Sequence, residues 1–236
     1  MITAFIETAS ARVSIAITRD GLLLDERSLP APGGSQNRLL LPQLEQSLAA
    51  SGVSLEELSL IATTAGPGSF TGVRSGLALV QGLALAKQIP CQSVSTLALV
   101  AASLPYAKQP VCVMLDARKQ EVYTGRYRVG LIPEPLDAER AATPQSVIEQ
   151  ISEPTIFVGD GAQLYRDLLV DSLGSRALFA PSLMATPRAA LGCLLAEARF
   201  TIEGSCPISQ LTPCYLRLSE AEVARNARLA KTGTNF

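Results

Sequence analysis

Residues 66–72, Gly66-Pro67-Gly68-Ser69-Phe70-Thr71-Gly72, open an apolar helical run to about Lys87 whose only charge before that lysine is Arg74. Three glycines ahead of a helix allow two arrangements. Backbone N–H groups can converge on an anion at the helix N-terminus, although the loop lacks the lysine of a P-loop and Thr71 stands where a dinucleotide fingerprint has its last glycine. Alternatively, Gly68, Gly72 and Gly76 recur every fourth residue, which clears one helix face for a close neighbour. That seam can lie inside the subunit or between subunits, and the sequence does not separate the two. Arg74, alone in apolar surroundings, requires a carboxylate, a carbonyl or a ligand anion, so a structural or interface salt bridge is expected.

Strands and helices alternate around this run. The stretch 2–8 reads as a strand, Val13, Ile15 and Ile17 alternate with period two, and Asp20-Gly21 supplies a hairpin turn into Leu22-Leu23-Leu24. Beyond the breaker Pro30-Ala31-Pro32-Gly33-Gly34, Ser35 is placed to N-cap a helix carrying Leu39, Leu40, Leu44 and Leu48, with Pro42 inside it and Gly52 past its end. Ser54 and Glu57 have capping-box spacing, and 60–64 is a short buried strand. A strand near 89–94 and a helix at 96–103 precede a crossover from Pro105 to Pro110. The scheme then recurs, with an apolar strand at 111–115, an extended run at 121–129, and a helix from Thr143-Pro144 to Ile151. A strand at 155–158 ends in Gly159-Asp160-Gly161, and a last helix starts at Thr186-Pro187. This order predicts an α/β fold of two similar halves, 1–104 and 105–218, each a mixed sheet covered by helices, followed by a tail, 219–236. Ligands in such folds sit at strand ends between the halves.

Only 17% of the 236 residues are charged, against about 25% in an average soluble chain, so apolar surface is expected to remain for a partner. The chain has no histidine, which excludes Ser-His-Asp and Cys-His nucleophiles, histidine bases and histidine-ligated metals within it. Cys91, Cys112, Cys193, Cys206 and Cys214 form no C-x-x-C pair and are expected as reduced, small apolar residues. No basic leader stands at the start, and no apolar run reaches the ~18 residues of a membrane span, so a cytoplasmic chain without membrane contact is expected. A net charge of −1 without blocks of lysine or arginine argues against autonomous nucleic-acid binding.

Glu7 and Asp116 each close the first strand of a half, where duplicated ATPase folds hold magnesium and phosphate, and Gly159 ends a later strand. With these residues the chain would be an Mg-ATP-binding kinase or ATPase. The simpler role for each acid is to accept hydrogen bonds from the turn that follows it. A peptidase has no activated nucleophile here, because Ser69 has no histidine base.

The run Ala65-Gly66-Pro67-Gly68-Ser69-Phe70-Thr71-Gly72-Val73-Arg74-Ser75-Gly76-Leu77-Ala78 resembles the signature of the bacterial TsaB family, also called YeaZ. Ile6-Glu7-Thr8, Arg38-Leu39-Leu40-Leu41-Pro42, Asp116-Ala117-Arg118, Gly159-Asp160-Gly161 and Pro213-Cys214-Tyr215-Leu216-Arg217 agree in the same order. The resemblance implies a duplicated actin/Hsp70/sugar-kinase-like (ASKHA) fold and a part in making threonylcarbamoyladenosine beside the tRNA anticodon. It implies a non-catalytic scaffold that pairs with its paralogue TsaD, the transferase, while TsaE joins as an ATPase. On that basis no cofactor is bound tightly by this chain, ATP and magnesium belong to the assembled complex, and tRNA is met only through it. The family's docking helices would be those beginning near Ser35 and Thr71, packed against the matching pair of TsaD as four helices. Leu39, Leu40, Leu44, Gly68, Gly72, Arg74 and Gly76 would then be the partner-binding residues, with Leu40 and Leu44 filling the seam, and the same face would serve a homodimer when TsaD is absent. Two positions depart from the family: Glu7 where Asp is usual, and Gly34 where His is common.

Overall fold

The computed structural model describes residues 1–31 and 35–217. Its opening is the expected meander: β1 (Ile2–Glu7), β2 (Arg12–Arg19) and β3 (Leu22–Pro30) pair antiparallel, with Asp20 and Gly21 both at positive φ in the first turn. The breaker at residues 32–34, including Gly34, lies outside the described residues, as does the tail from 219. α1 (Gln36–Ser51) ends at Gly52 in the left-handed conformation; Ser35 holds the N-cap position, but its hydroxyl makes no capping hydrogen bond. The capping box at Ser54 and Glu57 forms, around a single 3-10 turn. β4 (Leu60–Gly66), α2 (Phe70–Lys87), β5 (Cys91–Ser95) and α3 (Thr96–Ala101) complete this half.

The first sheet runs β3-β2-β1-β4-β5, with β4 parallel to β1 and β5 parallel to β4. β1 and β2 are buried on both faces, with the small polar residues Thr3, Ser14 and Thr18 buried beside the apolar ones. On one face α1 and α2 deliver Leu40, Leu44, Val73, Leu77 and Val80 against Ile6, Ile15 and Ile61.

The second half contains β6 (Val111–Asp116), β7 (Val122–Val129), β8 (Pro133–Pro135), β9 (Arg140–Ala142), α4 (Pro144–Ile148), β10 (Thr155–Val158), α5 (Asp160–Leu164), α6 (Arg166–Leu173), β11 (Ala177–Phe179) and α7 (Ala189–Glu203). Its sheet runs β11-β10-β6-β7-β8, with β9 beside β7. α4 is shorter than expected: Gln150 and Ile151 bond three residues back, so the backbone tightens instead of reaching Ile151 as helix. α7 starts at Ala189 and not at Pro187, where Glu26 of β3 accepts the Ala190 N–H at 3.0 Å and pairs with Arg188. That carboxylate satisfies one of the donors a helix start leaves open. α7 returns to the first sheet and packs Ala189, Cys193 and Ala196 with Phe5, Leu60 and Leu99 on the face opposite α1 and α2.

No helix among the described residues is long and apolar enough to cross a membrane. The five cysteines are free, and Cys91, Cys112 and Cys193 are buried.

Candidate partner-binding face

The glycine stripe of α2 faces inward. A methyl group at Gly72 would overlap the Thr8 carbonyl, and one at Gly76 would overlap the hydroxyls of Thr8 and Thr63. Gly68 lies in the loop, pressed on Ala9, whose carbonyl accepts the Ser69 N–H at 2.7 Å. The close neighbour that the spacing allowed is therefore the end of the sheet in this subunit. Ser69 caps the helix, its hydroxyl accepting the Gly72 N–H at 3.2 Å.

With that face used, α2 turns Phe70, Arg74 and Ala78 outward beside Asn37 and Leu41 of α1, and the two helices enclose an open groove of about 560 Å³. Leu41 is 48% exposed, whereas Leu40 and Leu44 are 5% and 2% exposed and belong to the core. Leu40 also lines the groove, and with Leu44 and the half-buried Leu39 it holds α1 on the sheet.

Within the chain, among the described residues, Arg74 is in no salt bridge and has aromatic neighbours instead. Its guanidinium lies 3.8 Å from the centroid of the Phe70 ring, and its Nε–H donates to the Tyr215 hydroxyl at 2.7 Å. Phe70 and Tyr215 stack at 5.1 Å with 22° between the rings. Tyr215 arrives on a strap, residues 204–217, that makes one 3-10 turn at Ile208–Gln210. Along it the Cys206 N–H donates to the Cys91 carbonyl, Gln81 donates to the Leu211 carbonyl, and the Cys214 N–H donates to the Ala65 carbonyl, each at 2.8 Å. Arg217 then pairs with Glu121 of the second half at 2.9 Å. Tyr215, Phe70 and Leu41 were absent from the expected site residues; the available signal was the Pro213-Cys214-Tyr215-Leu216-Arg217 run itself.

The residues considered for nucleotide have local partners. Glu7 is fully buried; its carboxylate accepts the Ser10 N–H at 3.0 Å and the Ser10 hydroxyl at 2.8 Å, and burial pushes its pKa up to about 7. Asp116 accepts the Arg118 N–H at 2.8 Å and pairs with the Arg118 guanidinium at 3.2 Å. Gly159 has φ 115°, and a side chain there would overlap the Met114 carbonyl. Between the halves, the Glu139 carboxylate accepts from Tyr127 at 2.6 Å and from Ser95 at 2.5 Å. Burial and that neighbouring carboxylate push the Tyr127 phenol up. Among the described residues, no group of three or more His, Cys, Asp or Glu side chains is placed to hold a metal ion.

Residues 35–225 match the family model described as TsaD: tRNA N6-adenosine threonylcarbamoyltransferase. Within that group, the chain is 35% identical over 170 residues to the tRNA threonylcarbamoyladenosine biosynthesis protein TsaB of Escherichia coli, covering 69% of this chain and 73% of the relative. The chain belongs to the TsaB family. The YeaZ structure from Pseudomonas aeruginosa superposes with a TM-score of 0.78 at 29% identity, over 91% of this chain and 99% of that one. At the level of fold alone, a ROK hexokinase from Thermus thermophilus aligns with a TM-score of 0.51 at 12% identity, over 85% of this chain and 100% of its own length. The TsaB chain thus has the expected actin/Hsp70/sugar-kinase-like α/β fold, two mixed sheets flanked by helices.

Proposed function

We propose that this chain acts in tRNA threonylcarbamoyladenosine biosynthesis as a non-catalytic cytoplasmic subunit. It pairs with a TsaD subunit through the α1–α2 face, TsaE joins the pair, and tRNA is reached only through the assembly. The observation that carries this reading is the groove between α1 and α2, where Leu41 and Phe70 are exposed on facing helices and the exposed Tyr215 stacks on Phe70. Such a patch gains stability when a second helical surface covers it. Leu41, Phe70 and Arg74 make the contact, while Leu39, Leu40, Leu44, Gly68, Gly72 and Gly76 fix the two helices that present them. A chain without histidine also fits a partner better than a transferase that relies on histidine-bound metal. ATP and magnesium belong, on this reading, to the assembly. The Mg-nucleotide alternative is not favoured, since the Glu7 carboxylate is buried against Ser10 and that of Asp116 is held by Arg118.

Size-exclusion chromatography with light scattering, on the chain alone and mixed with TsaD from the same organism, tests the pairing. A one-to-one complex is expected, and Leu41→Asp should abolish it while leaving the chain folded. A folded chain that ignores TsaD would end this reading.

A further inference from the structure

The strap that carries Tyr215 begins with a contact between two cysteines. Cys91 opens β5, the edge strand of the first sheet, and Cys206 follows the end of α7 by three residues. The Cys206 N–H donates to the Cys91 carbonyl at 2.8 Å, and the Cys91 N–H donates to the Ser205 hydroxyl at 3.1 Å. A backbone hydrogen bond of this kind sets two Cα atoms about 5–6 Å apart, within the roughly 4.4–6.8 Å that disulfides span. The Cys91 thiol already leans toward its neighbour, with Sγ 3.2 Å from the Cys206 carbonyl oxygen. Both side chains pack with the same hydrophobic cluster, Cys91 buried and Cys206 half-buried. Burial, and then the nearby Cys206 thiol, push the Cys91 thiol pKa up. The Cys206 thiol donates to the Pro207 carbonyl at 3.5 Å. Because thiols are weak donors, turning the two side chains toward each other costs little. The buried thiols of Cys112 and Cys193 face Thr124 and the carbonyls of Thr3 and Ala16 instead.

We infer that Cys91 and Cys206 form a disulfide when the chain meets a small-molecule disulfide such as oxidised glutathione, and that this bond locks the strap onto the first sheet. The half-buried Cys206 is the thiol that such a reagent reaches first. Its thiolate attacks one sulfur of the reagent, forming a mixed disulfide and releasing one reagent thiolate, which takes up the proton that Cys206 gave up. Cys91, as its thiolate, then attacks the Cys206 sulfur and expels the second reagent thiolate, which takes up the Cys91 proton. Two protein thiols are thereby oxidised to one disulfide while one reagent disulfide is reduced to two thiols. Burial pushes both thiol pKa values up, so the exchange is slow near neutral pH. The bond joins residues 115 positions apart, a long loop whose closure strongly restricts the unfolded chain. It also anchors the root of the segment whose later residues reach Gln81, Ala65, Phe70 and Arg74. The inference is independent of the pairing proposed above.

Incubation of the full chain with oxidised glutathione, followed by tryptic digestion and mass spectrometry without reductant, reads the bond. Cys214→Ser is the background, because residues 200–217 form one tryptic peptide that holds both Cys206 and Cys214. The expected product joins peptides 88–108 and 200–217 with the loss of two hydrogen atoms, and dithiothreitol separates them. The oxidised chain should unfold at a higher urea concentration, and the Cys206 amide should exchange with deuterium more slowly. Both shifts should vanish on reduction. They should also be absent from Cys206→Ser, a change at a half-buried position that leaves the buried Cys91 in place. A folded chain that stays as free thiols, or stops at a glutathione adduct on Cys206, would overturn the inference. So would a cross-link that appears only after urea has unfolded the chain, because the folded geometry would then not have made it. A cross-link that changes neither the urea midpoint nor the Cys206 exchange rate would show that the strap is not locked, and the inference would fall as well.

Discussion

Thr8 and Gly72 are locked to each other twice: the Thr8 hydroxyl donates to the Gly72 carbonyl at 2.8 Å, and the Thr8 carbonyl fills the space a side chain at 72 would need. The end of β1 therefore sets where α2 begins, and α2 carries the exposed face. Gly72→Ala should destabilise the chain by about 1–3 kcal/mol, since backbone and not a flexible side chain must yield. Urea unfolding measures this, and an unchanged midpoint would contradict the overlap. A larger change such as Gly72→Arg reports on folding rather than docking.

Leu41 and Leu44 lie three residues apart on α1 with opposite environments, 48% and 2% exposed. Leu44→Ala should cost about 2–5 kcal/mol as a buried truncation. Leu41→Ala should stay within about 0.5 kcal/mol in stability and weaken association with TsaD. Denaturation and titration of the same two variants check both halves of the contrast; the reverse pattern would exchange their roles.

Tyr215→Phe keeps the ring on Phe70 and removes the acceptor for Arg74. Tyr215→Ala removes both, at about 0.5–1.5 kcal/mol for the aromatic pair. Binding to TsaD should fall in the order wild type, Phe, Ala. Equal affinities would show that the strap takes no part in the face.

Glu7 gives a pH signature. Its folded pKa is about 7, raised from 4.5 by burial and opposed only in part by hydrogen bonds from Ser10 and Ala9. The folded chain holds this proton more tightly than the unfolded one, so the associated stability is complete below pH 4.5 and is lost as pH rises through about 7. The full loss is of order 3 kcal/mol. Urea unfolding at pH 5 and pH 8 should show stability falling with pH, with a smaller fall in Glu7→Gln. Identical slopes in the two chains would place the proton elsewhere.

Much of the fold was legible because its signals are local. Period-two alternation at Val13, Ile15 and Ile17, the Asp20-Gly21 turn and the Gly52 stop each act within a few residues, and each appears where expected. The three-residue strands β8, β9 and β11 were not legible, being too short to show a period. The face was half legible. The glycine spacing predicted a close neighbour for α2 but not which one, since a strand end and another helix place the same demand on a residue without a side chain. Arg74 reads as an ion-pair residue because the hydroxyl that takes its Nε–H comes from Tyr215, 141 residues away. Similarly, Leu40 and Leu41 are alike in composition, and only the rotation of α1 on the sheet separates core from surface.

The strap carries a consequence for how the protein is made. The ribosome completes α2 long before it adds Tyr215, so a nascent chain can hold a finished helix while Arg74 still lacks the hydroxyl that takes its Nε–H. The Arg74–Tyr215 contact forms only once the polypeptide has been read through residue 215 and folded back onto α2.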